Sequence, residues 1–150
     1  MTVQTTTHLN FGGEARAALE FYRSVFGGEV VVTTYGELGM PTDAPGADRV
    51  VFGLVTADSG FRIMAYDVLG ETTRGIIGGR RTRRENSATL TDQAMFVSLS
   101  AATLDELLPL WRALAVDGTV IEPLAASAWS AGFGMLTDRF GVTWSVTVAA

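Results

Sequence analysis

The sequence runs one order of patterns twice, and that repetition constrains the fold more than any other feature. In the first run Leu9 and Phe11 alternate with His8 and Asn10 as a short strand. After Gly12-Gly13, residues Ala15, Ala18, Leu19, Tyr22 and Val25/Phe26 recur at helical spacing, with Glu14 in the first turn and Gly27-Gly28 as the stop. Three segments rich in strand formers follow at Glu29–Tyr35, Val50–Ala57 and Phe61–Tyr66, the last two flanking a hairpin turn at Asp58-Ser59-Gly60. The second run opens with a strand at Ala94–Ser100. Thr103 and Glu106 then form a capping-box pattern, and Leu104, Leu107, Leu108, Trp111 and Leu114/Ala115 share one helical face up to Asp117-Gly118. Pro109 lacks an N–H and is expected to kink this helix. Strands at Thr119–Leu124, Gly132–Thr137 and Val142–Val148 complete the run, the last two joined by Asp138-Arg139-Phe140-Gly141.

A duplicated βαβββ unit predicts an α+β fold in which paired modules form a curved mixed sheet, a cup, with the helices on its convex side. The expected layout is a single domain over 1–150, with module 1 at about 5–70, a linker at 71–93 and module 2 at 94–150. The linker is the one compositional break and carries Arg80-Arg81-Thr82-Arg83-Arg84. Without hydrophobic periodicity it reads as a lid or a mobile linker, and a solvated role for its arginines is favoured over contact with an anion or a second subunit.

Composition narrows the chemistry. The 150 residues include no Cys and one His, and all 11 basic residues are Arg. Thiolate nucleophiles, disulfides, Cys-bearing metal sites, Schiff-base lysines and the P-loop lysine are therefore excluded. One His cannot supply a two-His facial triad or an HExxH site. A chain of this length buries ~70% of its unfolded surface and needs no staple. The net charge of −5 disfavours nonspecific binding to nucleic acid. No apolar stretch approaches the ~20 residues of a membrane span, and the N-terminus shows neither a basic nor an apolar targeting region, so a cytoplasmic location and no membrane partner are expected.

The stretch from His8 to Gly28, His-Leu-Asn-Phe-Gly-Gly-Glu-Ala-Arg-Ala-Ala-Leu-Glu-Phe-Tyr-Arg-Ser-Val-Phe-Gly-Gly, resembles the first strand and helix of the vicinal oxygen chelate superfamily, the glyoxalase/bleomycin resistance/dioxygenase group, and in particular its PhnB-like branch. Leu104 to Gly118, Val120 to Leu124, Trp129 and Phe133 to Trp144 are similar to that branch's closing elements. The resemblance implies paired βαβββ modules, frequent dimerisation and, in the enzymes, a divalent metal held by His, Gln or Glu in the cup. It places the metal positions near Thr6, near Ala94 and at Ser145, none of them a ligand of that kind, with His8 also on the cup side. Gln93 and His8 would supply at most two of the three protein ligands usual for catalytic zinc. No metal or other cofactor is therefore expected.

His8 is the only candidate acid or base. Ser24, Ser98, Ser127 and Ser145 make Ser-His-Asp chemistry formally available, but no nucleophile-elbow motif is present. Tyr35, Phe52, Met64, Tyr66, Trp129 and Phe133 can furnish pocket walls, and together with His8 and Ser145 they form the expected ligand-binding set. The leading expectation is a metal-free protein that binds a small organic ligand, as the superfamily's antibiotic-binding members do, and that works as a homodimer. Two alternatives stay open: a metal-dependent lyase, isomerase or dioxygenase, and an interaction protein whose cup is filled by its own side chains. The Gly pairs lack the strand–loop–helix setting of a methyltransferase cofactor loop.

Overall fold

The structure of the chain is a computed structural model that describes residues 2–149, and these divide into two compact units between Ile77 and Gly78. The first unit contains β1 (Thr7–Phe11), α1 (Ala15–Phe26), β2 (Glu29–Thr34), a 3-10 turn at Gly36–Leu38, β3 (Val50–Thr56) and β4 (Arg62–Asp67). Its sheet has the order β1-β4-β3-β2, with β1 and β4 parallel and the other neighbours antiparallel. The second unit contains β5 (Thr82–Glu85), β6 (Ala88–Thr91), β7 (Val97–Ala101), α2 (Leu104–Ala115), β8 (Thr119–Ala125), β9 (Phe133–Thr137) and β10 (Thr143–Val148). Strands β7-β10-β9-β8 repeat the order of the first sheet, again with the outer pair β7 and β10 parallel. The chain is thus an α+β protein of paired βαβββ modules, as the repeated pattern predicts.

In the first unit Ala15, Ala18, Leu19 and Tyr22 form the buried stripe of α1 and meet the sheet face that carries Leu9, Phe11, Val55, Ile63 and Ala65. Gly53 lies under this helix, where an added Cβ would stand 2.3 Å from Leu19, so only glycine allows the close packing. The N-terminus of α1 has no side-chain cap of its own. Buried Asp67 does that work from the end of β4: its Oδ1 accepts the backbone N–H groups of Gly13 (2.8 Å) and Ala15 (3.0 Å), and its Oδ2 accepts that of Val50 (3.0 Å). One carboxylate therefore joins the helix start to two strands, and the helix N-terminus favours its negative charge.

In the second unit the predicted capping box forms, with the Thr103 hydroxyl accepting from the Glu106 N–H and the Glu106 carboxylate accepting from the Thr103 N–H. Leu107 and Leu114 are buried on α2, and Trp144, Leu136 and Val146 are buried in the sheet beside them. The Trp144 indole donates to Asp138 Oδ2 at 2.9 Å, which satisfies the polar end of a fully buried ring. Helix α2 runs uninterrupted through Pro109, which is exposed, so the carbonyl left without that N–H faces water.

The segment 71–93, patternless in sequence, contains ordered backbone. Ile76 bridges to Phe11, and the Ile77 N–H donates to the Asn10 carbonyl, both within the first unit. In the second unit β5 and β6 pair as an antiparallel hairpin. Its turn residues Asn86 and Ser87 both have positive φ, 51° and 63°, as a two-residue type I′ turn requires. Among the described residues no helix is long and apolar enough to cross a membrane.

Candidate functional site

Strand alternation sends the remaining side chains of each sheet to the face turned away from its helix. In the first unit this face carries a row across all four strands: His8 pairs with Met64, Met64 with Leu54, and Leu54 with Val31. Asn10 pairs with Tyr66, and Phe52 pairs with Thr33. An irregularity between Thr33 and Thr34 pairs them with Phe52 and Val50, which skips Val51; this extra residue lets Val50 turn to the core while Phe52 turns to the open face. Val31 is 52% exposed and Phe52 40% exposed, while Met64, Leu54 and Tyr66 are half-buried.

The polar groups on this apolar floor are few. The His8 and Tyr66 rings lie 5.1 Å apart at a tilt of 49°. The His8 imidazole, the Asn10 carboxamide and the Tyr66 hydroxyl have no hydrogen-bond partner among the described residues. At one end of the face the Arg62 Nε donates to the Thr6 hydroxyl at 3.2 Å. At the other, Tyr35 donates its hydroxyl to the Asp67 carbonyl at 2.7 Å. Burial pushes the Tyr35 phenol above its ordinary pKa, Tyr66 and Asp67 add to the shift, and Arg49 opposes it. Tyr35 is therefore a neutral, pinned wall, whereas the polar end of Tyr66 is available.

Within this unit His8 has neither a carboxylate nor a nucleophile beside it. Its strand partner is Met64, and Ser24 donates to the Phe21 carbonyl on α1, which covers the opposite face. The arrangement can accept and donate hydrogen bonds around a flat apolar body. It does not assemble a Ser-His-Asp triad.

The second unit's equivalent row is Ser98, Ser145, Met135 and Glu122, followed by Ser100, Thr147, Phe133 and Ala125. Here the β5–β6 hairpin lies over the sheet. The Arg84 guanidinium sits 5.4 Å from the Phe133 ring centroid, Arg84 donates to the Thr89 hydroxyl at 2.9 Å, and the Thr89 hydroxyl approaches the Met135 sulfur at 3.7 Å. The Arg84 Nε is buried without a hydrogen-bond partner and lies 3.9 Å from the Glu122 carboxylate. Phe133 is thus covered by the hairpin, and Ser145 belongs to a hydroxyl-lined strand pair. Trp129 lies in the segment between β8 and β9 and is 94% exposed.

The structure therefore brings His8, Met64 and Tyr66 together with Phe52 on one face and puts Tyr35 at its end. Phe133 and Ser145 are on the second module's sheet, and Trp129 stands apart from both rows. Sequence reasoning missed Asn10, Leu54 and Arg62, although the alternation that selected His8 and Met64 also selects these three. It missed Asp67 for lack of any local signal, and it read Arg84 as one of a solvated run where the structure sets it against Phe133.

Thr6, Ala94 and Ser145, the residues to which the resemblance assigns the superfamily's metal, do not have the donor chemistry of a chelated divalent ion. The Thr6 hydroxyl already receives a guanidinium, Ala94 has no donor atom, and Ser145 offers a neutral hydroxyl. Gln93 is committed to structure: its Oε1 accepts from the hydroxyls of Thr82 (2.8 Å) and Thr143, and its Nε2 donates to the Gly141 carbonyl at 3.2 Å. Among the described residues no three His, Asp or Glu side chains gather into a metal-binding set.

Comparison with known proteins agrees with this architecture. The family model of the glyoxalase/bleomycin resistance protein/dioxygenase superfamily matches residues 7–146. Protein PA1353 from Pseudomonas aeruginosa is 28% identical, with 98% of each chain covered and a TM-score of 0.73. The PhnB protein from Bacillus cereus is 27% identical, with 98% of this chain and 100% of that chain covered and a TM-score of 0.67. The fold is shared with TioX from Micromonospora sp. ML1, at 17% identity, 99% and 100% coverage and a TM-score of 0.55. A search of curated proteins finds no match. The matched model spans both modules from β1 into β10, and the chain accordingly belongs to the glyoxalase/bleomycin resistance protein/dioxygenase superfamily, with PhnB-like proteins among its structural neighbours.

Proposed function

We propose that this protein binds a small organic ligand on the open face of its first module, without a chelated metal and without chemistry on the ligand. The observation that carries the reading is the unpartnered polar trio of His8, Asn10 and Tyr66 beside the apolar floor of Met64, Leu54, Val31 and Phe52. Apolar walls with a few convergent polar groups are the ordinary make-up of small-molecule sites. A ligand with a flat apolar body and polar substituents would cover the floor and pair with the trio. His8 serves as a hydrogen-bonding group, because no second catalytic group accompanies it. The donor chemistry at Thr6, Ala94 and Ser145 supports the metal-free reading.

A thermal-shift panel of phenols, benzoates, heteroaromatic amides and aromatic cations tests this directly. A ligand at 100 times its Kd stabilises by about 2.7 kcal/mol. The expected result is at least one stabilising compound whose effect is lost in Phe52→Ala. A flat panel, or one bound metal ion per chain after exhaustive dialysis of untagged protein, contradicts the proposal; bound metal would favour the lyase, isomerase or dioxygenase reading.

A second reading draws on the hairpin. Since β5–β6 covers Phe133 and Met135 of the second module with the protein's own side chains, that module fits the interaction-protein alternative. A homodimer in the cytoplasm, with no nucleic-acid or membrane partner, completes the proposal. The sheet edges at β2 and β8 have no strand partner on one side among the described residues, which gives pairing a physical motive. Light scattering at twice the chain mass of 15.9 kDa is the expected outcome.

A further inference from the structure

We propose that the second module carries a separate binding site for a small phosphoryl-type dianion, in the cavity between the start of the hairpin and the edge of the β8–β9 pair. This cavity has a volume of 380 Å³ and is lined by Arg80, Arg81 and Arg83 together with Thr119 and Thr137. Three guanidinium groups and no carboxylate border it, in a chain whose net charge is −5. Local charge thus opposes the sign of the whole.

The neighbouring acids offset two of these charges but leave Arg80 and several donor nitrogens uncommitted. Asp92 holds Arg81, with Nε to Oδ2 at 3.3 Å, and Glu85 holds Arg83 at 3.2 Å. Each contact is to a single Nε and leaves the terminal guanidinium nitrogens free to serve a ligand. Arg80 has no acidic partner among the described residues. Thr119 adds a hydroxyl without a partner, while Thr137 shares its hydroxyl with Thr143 at 2.8 Å.

Guanidinium forks match tetrahedral oxyanions because two parallel N–H donors meet two oxygens of one group. The volume suits a metabolite and not a polymer. The overall acidic charge further opposes a long polyanion such as nucleic acid, whose binding depends on an extended basic surface. Arg84 plays no part here, since it is engaged with Phe133 and Thr89. The site is independent of the first module's open face and of the function proposed for it.

The test is an NMR titration of the full chain with inorganic phosphate and with phenyl phosphate at constant ionic strength, with sodium chloride as the control. Saturable shifts of the Thr119 and Thr137 amides with both phosphates and not with chloride are expected. Arg80→Ala/Arg83→Ala, both exposed positions, should weaken phosphate binding at least tenfold with an unchanged melting temperature. An equal response to chloride, or unchanged phosphate binding by the double variant, overturns the proposal. So does binding of a 20-nucleotide single strand in the absence of any response to phosphate, which would indicate a nucleic-acid surface instead.

Discussion

The two modules place different chemistry on the same frame. Equivalent rows of directly paired residues read His8-Met64-Leu54-Val31 in the first and Ser98-Ser145-Met135-Glu122 in the second. The first row is long, apolar and headed by an imidazole. The second begins with two short hydroxyl side chains, and further along it Thr89 of the hairpin meets Met135 while Arg84 meets Phe133 of the next row. A repeated fold thus keeps its strand order while the faces diverge, one apolar and headed by an imidazole and the other lined by hydroxyls and partly covered by an inserted hairpin. Function is written on the faces and not on the repeat.

The largest effect should come from the buried carboxylates that anchor each frame. Asp67→Ala leaves three N–H groups without their acceptor, at ~1–3 kcal/mol each for buried donors, so urea denaturation should show a loss of about 3 kcal/mol or more. Asp138 is the second module's counterpart in kind, accepting from Phe140, Val142 and the Trp144 indole, and Asp138→Ala should cost a similar amount. A loss under about 1 kcal/mol for either would show that the frame does not rest on these anchors.

Next in size is the ligand effect confined to the first face. Tyr66→Phe removes one hydroxyl, worth about 1 kcal/mol or fivefold in affinity for a panel hit, with the fold intact. Ser145→Ala should leave that affinity unchanged. The reverse ranking would move the site to the second module.

Arg84→Ala should cost about 1 kcal/mol from the lost ring contact and hydrogen bond, and should speed amide exchange across residues 82–91. Exchange in the first unit should not change. If the hairpin keeps its protection, Arg84 is not what holds it down.

The smallest effect concerns pH. The Asp92 carboxyl is held below its ordinary value, chiefly by the backbone N–H of Arg81 and then by that residue's side chain. A lowered pKa contributes stability that is present above the unfolded value of 3.8 and is lost as pH falls through the folded value. Hairpin protection should therefore fade in acid below that point, and Asp92→Asn should remove the dependence.

Much of this architecture is legible in the sequence. Both helices, the duplicated order and the strands of both sheets follow from periodicity, because each element buries one face against a core and must show its period. The hairpin at 82–91 was not legible. Its strands, Thr-Arg-Arg-Glu and Ala-Thr-Leu-Thr, carry no apolar alternation, and their register rests on side-chain bonds such as Thr82 to Thr91 at 2.7 Å. Its turn is Asn-Ser where the strong signal would be Asn-Gly. Asp67 was invisible for a related reason: it caps a helix 52 residues away in sequence, and no local pattern encodes such a contact. At the candidate site, alternation found His8, Met64 and Tyr66, but only the register shows that Asn10 and Leu54 share their rows.

Which face receives a ligand is decided by an NMR titration with phenol, a minimal probe with a ring and a hydroxyl. Saturable shifts are expected at His8, Asn10, Met64 and Tyr66, with Ser98, Ser100, Ser145 and Thr147 unmoved and the hairpin amides still protected. Shifts confined to the serine row, accompanied by loss of protection across residues 82–91, would contradict a ligand site on the first module's face.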